Sequence, residues 1–233
     1  AQSQEEYEDL IRRVSFSPAP EGRPAPSVTQ TAQELSLNAK YVMVFDQNKN
    51  QVVYSKNPNY RVPIASVTKL MSAMVLLDGG QDMSEIISIG DDDVDRLKGS
   101  GSRLKVGAGL TRYEMLRLSV MSSENRATHA LARHYPGGVD AFVARMNRKA
   151  ASLGMTNSQF QDPTGLSSNN QSTPADLVKM VSAARGYQFL NEIANTAGAE
   201  VLPFGMESVL SYVNSNRLLR TGRWNIGISK TGH

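Results

Sequence analysis

The segment from Ser66 to Leu77 constrains this chain more than any other. Apolar side chains at Val67, Leu70, Met71, Met74, Val75 and Leu77 recur at helical spacing, with Pro63 just upstream and Gly79-Gly80 just past the end. The pattern predicts a buried helix with its start and stop signals, around which the remaining elements must close. A chain of 233 residues can bury a substantial core, as one large domain or two small ones. One domain with an N-terminal extension is the expectation.

The flanking sequence has a different periodicity. Tyr41-Val42-Met43-Val44-Phe45-Asp46 and Gln51-Val52-Val53-Tyr54 are β-rich runs separated by the polar Gln47-Asn48-Lys49-Asn50, and predict a hairpin. Downstream, Thr111 and Glu114 form a capping box that opens a helix through Leu116, Leu118 and Met121. Further helices are expected from Arg126 to His134, from Val139 to Leu153 with Gly154 as C-cap, and from Pro174 to Ala184 with Gly186 beyond it. Trp224 to Lys230 alternates as a strand does. The chain therefore predicts a helical block between β-rich ends. Residues 1–39 precede it as an extension whose proline-rich part, Ser17 to Pro26, predicts a partly flexible linker.

Composition excludes several classes. The formal charge of +3 is too small to select an anionic partner, and no nucleic-acid partner is expected. There is no cysteine, hence no disulfide framework and no thiolate chemistry. No run of about 18 apolar residues could span a bilayer. The opening Ala1-Gln2-Ser3 is compatible with a signal-cleaved exported protein and equally with a cytoplasmic fragment. The acidic run Asp91-Asp92-Asp93 with Asp95 reads as a solvated turn, because it lacks the glycine and distal glutamate of a calcium loop. His129 and His134, five apart, do not share a helical face as metal ligands would. No metal and no cofactor are expected.

Three short motifs carry chemistry: Ser66-Val67-Thr68-Lys69, Ser123-Glu124-Asn125 and Lys230-Thr231-Gly232. A serine three residues before a lysine is common by chance, and Ser102-Arg103-Leu104-Lys105 is a second instance. Context separates them: Ser66 opens a helix, which puts Lys69 on its own face, whereas Ser102 lies among glycines. Ser-x-Asn recurs at Ser36, Ser55, Ser167 and Ser168, so only its place in the order singles out Ser123. A serine hydroxyl becomes nucleophilic when a base takes its proton, and a lysine kept neutral by burial and a nearby cation can be that base. Lys230 is the candidate cation. A helix N-terminus at Ser66 would turn backbone N–H groups toward a developing oxyanion.

In this order the motifs resemble the penicillin-binding and serine β-lactamase superfamily. Pro63 to Ser66, Met121 to Ala127, and Gly154-Met155 through Pro163-Thr164-Gly165-Leu166 to Thr173 are similar to the low-molecular-mass D-alanyl-D-alanine endopeptidases and carboxypeptidases. The resemblance implies an α/β fold, a β-lactamase/transpeptidase-like sandwich with an antiparallel sheet packed against a helical region. It implies Ser66 as acyl-ester nucleophile, Lys69 as proton acceptor and Ser123 as relay toward the leaving amine. Asn125, Lys230, Thr231 and Gly232 would hold substrate, and the His233 N–H would be the second oxyanion donor. Peptidoglycan peptides are the implied substrates, β-lactam antibiotics covalent inhibitors, and the periplasm the implied location. Residues 40–233 would be the catalytic domain, ending at His233 where relatives continue into further strands and a C-terminal helix.

The leading expectation is a D-alanyl-D-alanine endopeptidase cleaving cross-links through an acyl-enzyme, with a D,D-carboxypeptidase as the alternative. A β-lactamase needs assisted deacylation, and no glutamate occurs between Asn125 and Asn191 to provide it. An inactive penicillin-binding scaffold module is the remaining alternative, and the intact motifs argue against it.

Overall fold

A computed structural model describes the backbone of residues 42–46, 51–56, 62–63 and 68–214, with side chains in the last segment. The extension 1–39, Ser66, and the segment carrying Lys230, Thr231, Gly232 and His233 lie outside the described residues.

Helix α1 (Thr68–Asp78) is the centre of the molecule. Every residue from Thr68 to Leu76 is buried, so the helix is covered all round, as its apolar sequence requires. It packs against four other helices: α2 (Arg112–Ser122), α3 (Asn125–Arg133), α4 (Gly138–Ser152) and α5 (Pro174–Ala184). Leu70, Met71 and Met74 join Leu116, Leu118, Met121, Met146, Leu177 and Met180 in one core. Helix α6 (Gln188–Ala194) closes the block against α2 through Phe189 and Tyr113, whose rings meet edge to face at 5.6 Å.

Strands flank this block as antiparallel pairs. β1 (Val42–Asp46) and β2 (Gln51–Lys56) form the expected hairpin, with a register shift between Val44 and Phe45, and β1 lies against α5. β3 (Val62–Pro63) pairs with β6 (Gln171–Ser172), which ties the chain leading into α1 to the segment before α5. β4 (Ile86–Ser88) pairs with β5 (Gly109–Thr111), and β7 (Gly198–Val201) with β8 (Leu210–Val213).

Local sequence explains the helix boundaries. The Thr111 hydroxyl accepts from the Glu114 N–H at 3.1 Å and Glu114 reaches back to the Thr111 N–H at 3.3 Å, the reciprocal pair that opens α2. Pro174 starts α5 behind the Thr173 cap. Gly154, at φ +77°, lies one residue beyond the Leu153 cap of α4, in a conformation that glycine adopts without steric cost.

The acidic run departs from its expectation. Residues Asp91–Asp93 form a short 3₁₀ turn in which Asp91 and Asp92 are exposed but Asp93 is buried. Its carboxylate accepts from Arg133 and the Gly90 N–H and pairs with His129 at 2.6 Å. His129 and Arg133 stand one turn apart on α3, a distant partner that the run itself does not announce. Among the described residues no group of side chains is arranged to hold a metal ion.

Candidate active site

Lys69 lies in the first turn of α1 and is 3% exposed. Its ammonium donates to the Thr164 carbonyl at 2.9 Å. Burial pushes it down from the ordinary 10.5 to about 8, against the opposing pull of the Asp162 and Glu124 carboxylates. Burial is the main cause of the depression, and the charged neighbours found among the described residues are anions that resist it; the expected cation, Lys230, lies outside the described residues.

The loop that meets Lys69 is built to present that carbonyl. Asp162 accepts from the Thr164 N–H at 3.1 Å, the Thr164 hydroxyl, the Gly165 N–H at 3.1 Å and the Ser167 N–H. Asn170 accepts from the Gln161 and Asp162 N–H groups and donates to the Asp162 carbonyl and the Thr68 hydroxyl. Gly165 turns at φ +88°, where a side chain would be strained. One turn along α1 from Lys69, the Ser72 hydroxyl donates to the Pro163 carbonyl at 2.6 Å. The loop is thus pinned to α1 at Thr68, Lys69 and Ser72. In the sequence the sign of this loop is Asp162 followed by Pro163-Thr164-Gly165, a turn composition with a carboxylate placed to bind its own backbone.

The second motif occupies the sharp link between α2 and α3. Ser123 caps α2 in the left-handed conformation, φ +51°, unique among described non-glycine residues. Such backbone costs about 1–2 kcal/mol, and it persists because α2 and α3 are both packed on α1. Glu124 follows as N-cap of α3 and is buried. Asn125 opens α3; its amide donates to the Ser100 hydroxyl at 3.1 Å, while its buried carbonyl oxygen has no partner among the described residues.

A third piece is the loop 95–105. The Asp95 carboxylate gathers the N–H groups of Leu97, Lys98 and Ser100, which folds the loop back toward α3. The Ser102 hydroxyl donates to Glu124 at 2.7 Å, and Arg126 donates to the Leu104 carbonyl at 2.8 Å. Arg103 stacks over the Tyr212 ring at 4.2 Å and donates to the Ser211 carbonyl. Ser102 read from sequence as a bystander among glycines; folded, it touches the second motif, because Asp95 turns the loop in a way that spacing does not reveal.

The structure therefore brings Lys69, the Thr164 carbonyl, Asp162, Ser123, Glu124 and Asn125 into one neighbourhood. Of the expected site residues, Ser66, Lys230, Thr231, Gly232 and His233 lie outside the described residues. A buried lysine whose ammonium is disfavoured, held by a backbone carbonyl, suits proton abstraction.

Comparison with known proteins agrees with this chemistry. The profile of a family described as D-alanyl-D-alanine carboxypeptidase matches residues 28–233. A D-alanyl-D-alanine endopeptidase of Pseudomonas aeruginosa is 41% identical over 223 residues, covering 96% of this chain and 72% of that protein. One from Escherichia coli K12 is 39% identical over 223 residues, covering 96% and 71%. Among solved structures, a D-alanyl-D-alanine carboxypeptidase of Mycobacterium tuberculosis matches with TM-score 0.68 at 28% identity, covering 88% of this chain and 73% of that one.

Proposed function

The chain belongs to the D-alanyl-D-alanine carboxypeptidase family of serine peptidases, and from that premise we propose that it cleaves D-alanyl cross-links of peptidoglycan as an endopeptidase. Its fold is the α/β penicillin-binding type. The observation that carries the mechanism is Lys69, buried, held by the Thr164 carbonyl and pushed down to about 8.

In the proposed reaction, Lys69 as free amine takes the Ser66 hydroxyl proton while the serine oxygen bonds to the D-alanyl carbonyl carbon. The tetrahedral intermediate collapses by breaking the C–N bond, and Ser123 passes a proton to the departing amine. Water then hydrolyses the ester. Asn125 receives a substrate N–H, Lys230 and Thr231 bind a carboxylate or carbonyl, and the backbone of Gly232 to His233 supplies oxyanion stabilisation. Penicillin follows the same first step and stays bound as an acyl-enzyme.

Slow release is supported by the loop carboxylate. Asp162 accepts four hydrogen bonds from its own loop, so it is committed to structure and is not placed to activate a hydrolytic water. This weighs against a β-lactamase. Preference for cross-links over terminal D-alanine rests on the two relatives named as endopeptidases, at 41% and 39% identity. Among the described residues no helix is long and apolar enough to cross a membrane. We place the enzyme in the periplasm, where the substrate lies. Digestion of purified muropeptides with product masses read out tests the preference: cross-linked dimers should fall to monomers, whereas release of free D-alanine with dimers untouched would establish the carboxypeptidase.

A further inference from the structure

We infer that Glu124, the middle residue of the second motif, is a positioning residue that latches the loop 95–105 to the start of α3 and sets the alignment of Ser123 and Asn125. The inference rests on the peptidase reading above and deepens it.

Four contacts converge on this side chain or on its immediate neighbours. The Glu124 carboxylate accepts from the Ser102 hydroxyl at 2.7 Å and from the Arg126 N–H at 3.3 Å, so it joins the loop and the helix end in one buried group. Asn125 makes the parallel connection through Ser100, and Arg126 through the Leu104 carbonyl. The Glu124 backbone also holds the helices: its N–H donates to Leu118 and its carbonyl accepts from the Thr128 hydroxyl. Ser123, directly before it, is in strained left-handed backbone that relaxes unless both flanking helices are fixed. The Ser100 contact holds the Asn125 amide group, whose buried carbonyl oxygen has no partner among the described residues.

A carboxylate is costly to bury for this purpose when an amide could accept the same two hydrogen bonds. The charge has a second effect that an amide lacks. Glu124 and Asp162 are the anions facing Lys69, one from the α2–α3 link and one from the loop before β6, and both favour the protonated ammonium. Tyr212 on β8 faces Glu124 in turn: burial, then Glu124, push its phenol up to about 12, with Arg103 opposing, so Tyr212 stays neutral beside it. Its buried hydroxyl has no partner among the described residues. Glu124 thus both aligns the motif and retains a proton on Lys69 until the pH rises.

The two effects separate in three variants of the full chain, read by the rate of acylation with a fluorescent penicillin across pH. Glu124→Gln keeps the acceptor and removes the charge; the acid limb of the profile should move to lower pH, raising the relative rate at pH 6 about two- to threefold. Ser102→Ala keeps the charge and removes the latch; the plateau should fall about tenfold with the limb unmoved. Glu124→Ala should show both changes, and Glu124→Gln should recover most of its lost plateau. Coincident limbs for Glu124→Gln and wild type, or a wild-type plateau in both Ser102→Ala and Glu124→Ala, would overturn the inference while leaving the peptidase reading intact. A wild-type chain that takes up no penicillin would remove that reading, and the inference with it.

Discussion

At the scale of the residue, the molecule holds a lysine in an environment that opposes its charge. The fall from 10.5 to about 8 corresponds to about 3 kcal/mol held against the ammonium. The sign follows from proton binding. Between about pH 8 and 10.5 the unfolded chain binds a proton at Lys69 that the folded chain does not, so folding is penalised below that window and the penalty disappears above it. Lys69→Met removes the titrating group. Its Tm relative to wild type should therefore rise as the pH is lowered from 10 to 7, while penicillin acylation falls by about 10²- to 10⁴-fold. Thermal melts at the two pH values read the first half; a Tm difference independent of pH would contradict it. Stability given up for reactivity in this way is what a proton-accepting site requires.

The same environment explains what the sequence revealed of the site and what it did not. Lys69 stands out in the sequence by its spacing from Ser66, and Ser123 by its place in the order of the motifs, both of which are properties of the chain. Thr164 was not, since a backbone carbonyl carries no side-chain signature. Ser102 was set aside because its glycine-rich surroundings hide the turn that Asp95 builds through three N–H acceptances. Contacts between distant segments depend on packing, which motif order alone does not encode.

At the scale of the element, capping and termination signals were readable to within a residue or two: the Thr111–Glu114 box opens α2, and α5 runs from Pro174 to Ala184 as expected. The acidic run was misread because its character is set by α3. Burial pushes the Asp93 carboxyl up, but hydrogen bonds from His129, Arg133 and the Gly90 N–H outweigh it and hold the group below the usual carboxylate range. A depressed carboxyl contributes stability that is present above its unfolded range and is lost as pH falls through the folded one. Asp93→Asn should cost about 1–3 kcal/mol in urea unfolding at pH 7, and less as the pH drops into the range where the wild-type carboxyl is itself protonated. A cost that does not change with pH would mean that the charge of Asp93, paired with Arg133, contributes nothing.

At the scale of the whole molecule, the arrangement follows from one requirement, that α1 be covered on all sides. Four helices meet it: α2 is capped by Ser123, α3 begins with Asn125, α4 supplies Met146 to the core, and α5 follows the strand that anchors the Lys69 loop. Because the core is methionine-rich and closely packed about α1, Met74→Ala should cost about 2–5 kcal/mol and should loosen the site with it, read as a lower urea midpoint and slower acylation. The helical block and the hairpin were evident in hydrophobic periodicity; how the loops close over Lys69 was not, since loops follow the packing of the elements that they join.

The central claim is that Ser66 carries the acyl group. Incubation with benzylpenicillin, intact mass, and peptide mapping of the adduct test it most directly. The account predicts one adduct on the peptide containing Ser66, and none in Ser66→Ala while that variant keeps the wild-type melting profile. An adduct that persists in Ser66→Ala, or that maps to the peptide containing Ser102, would contradict it.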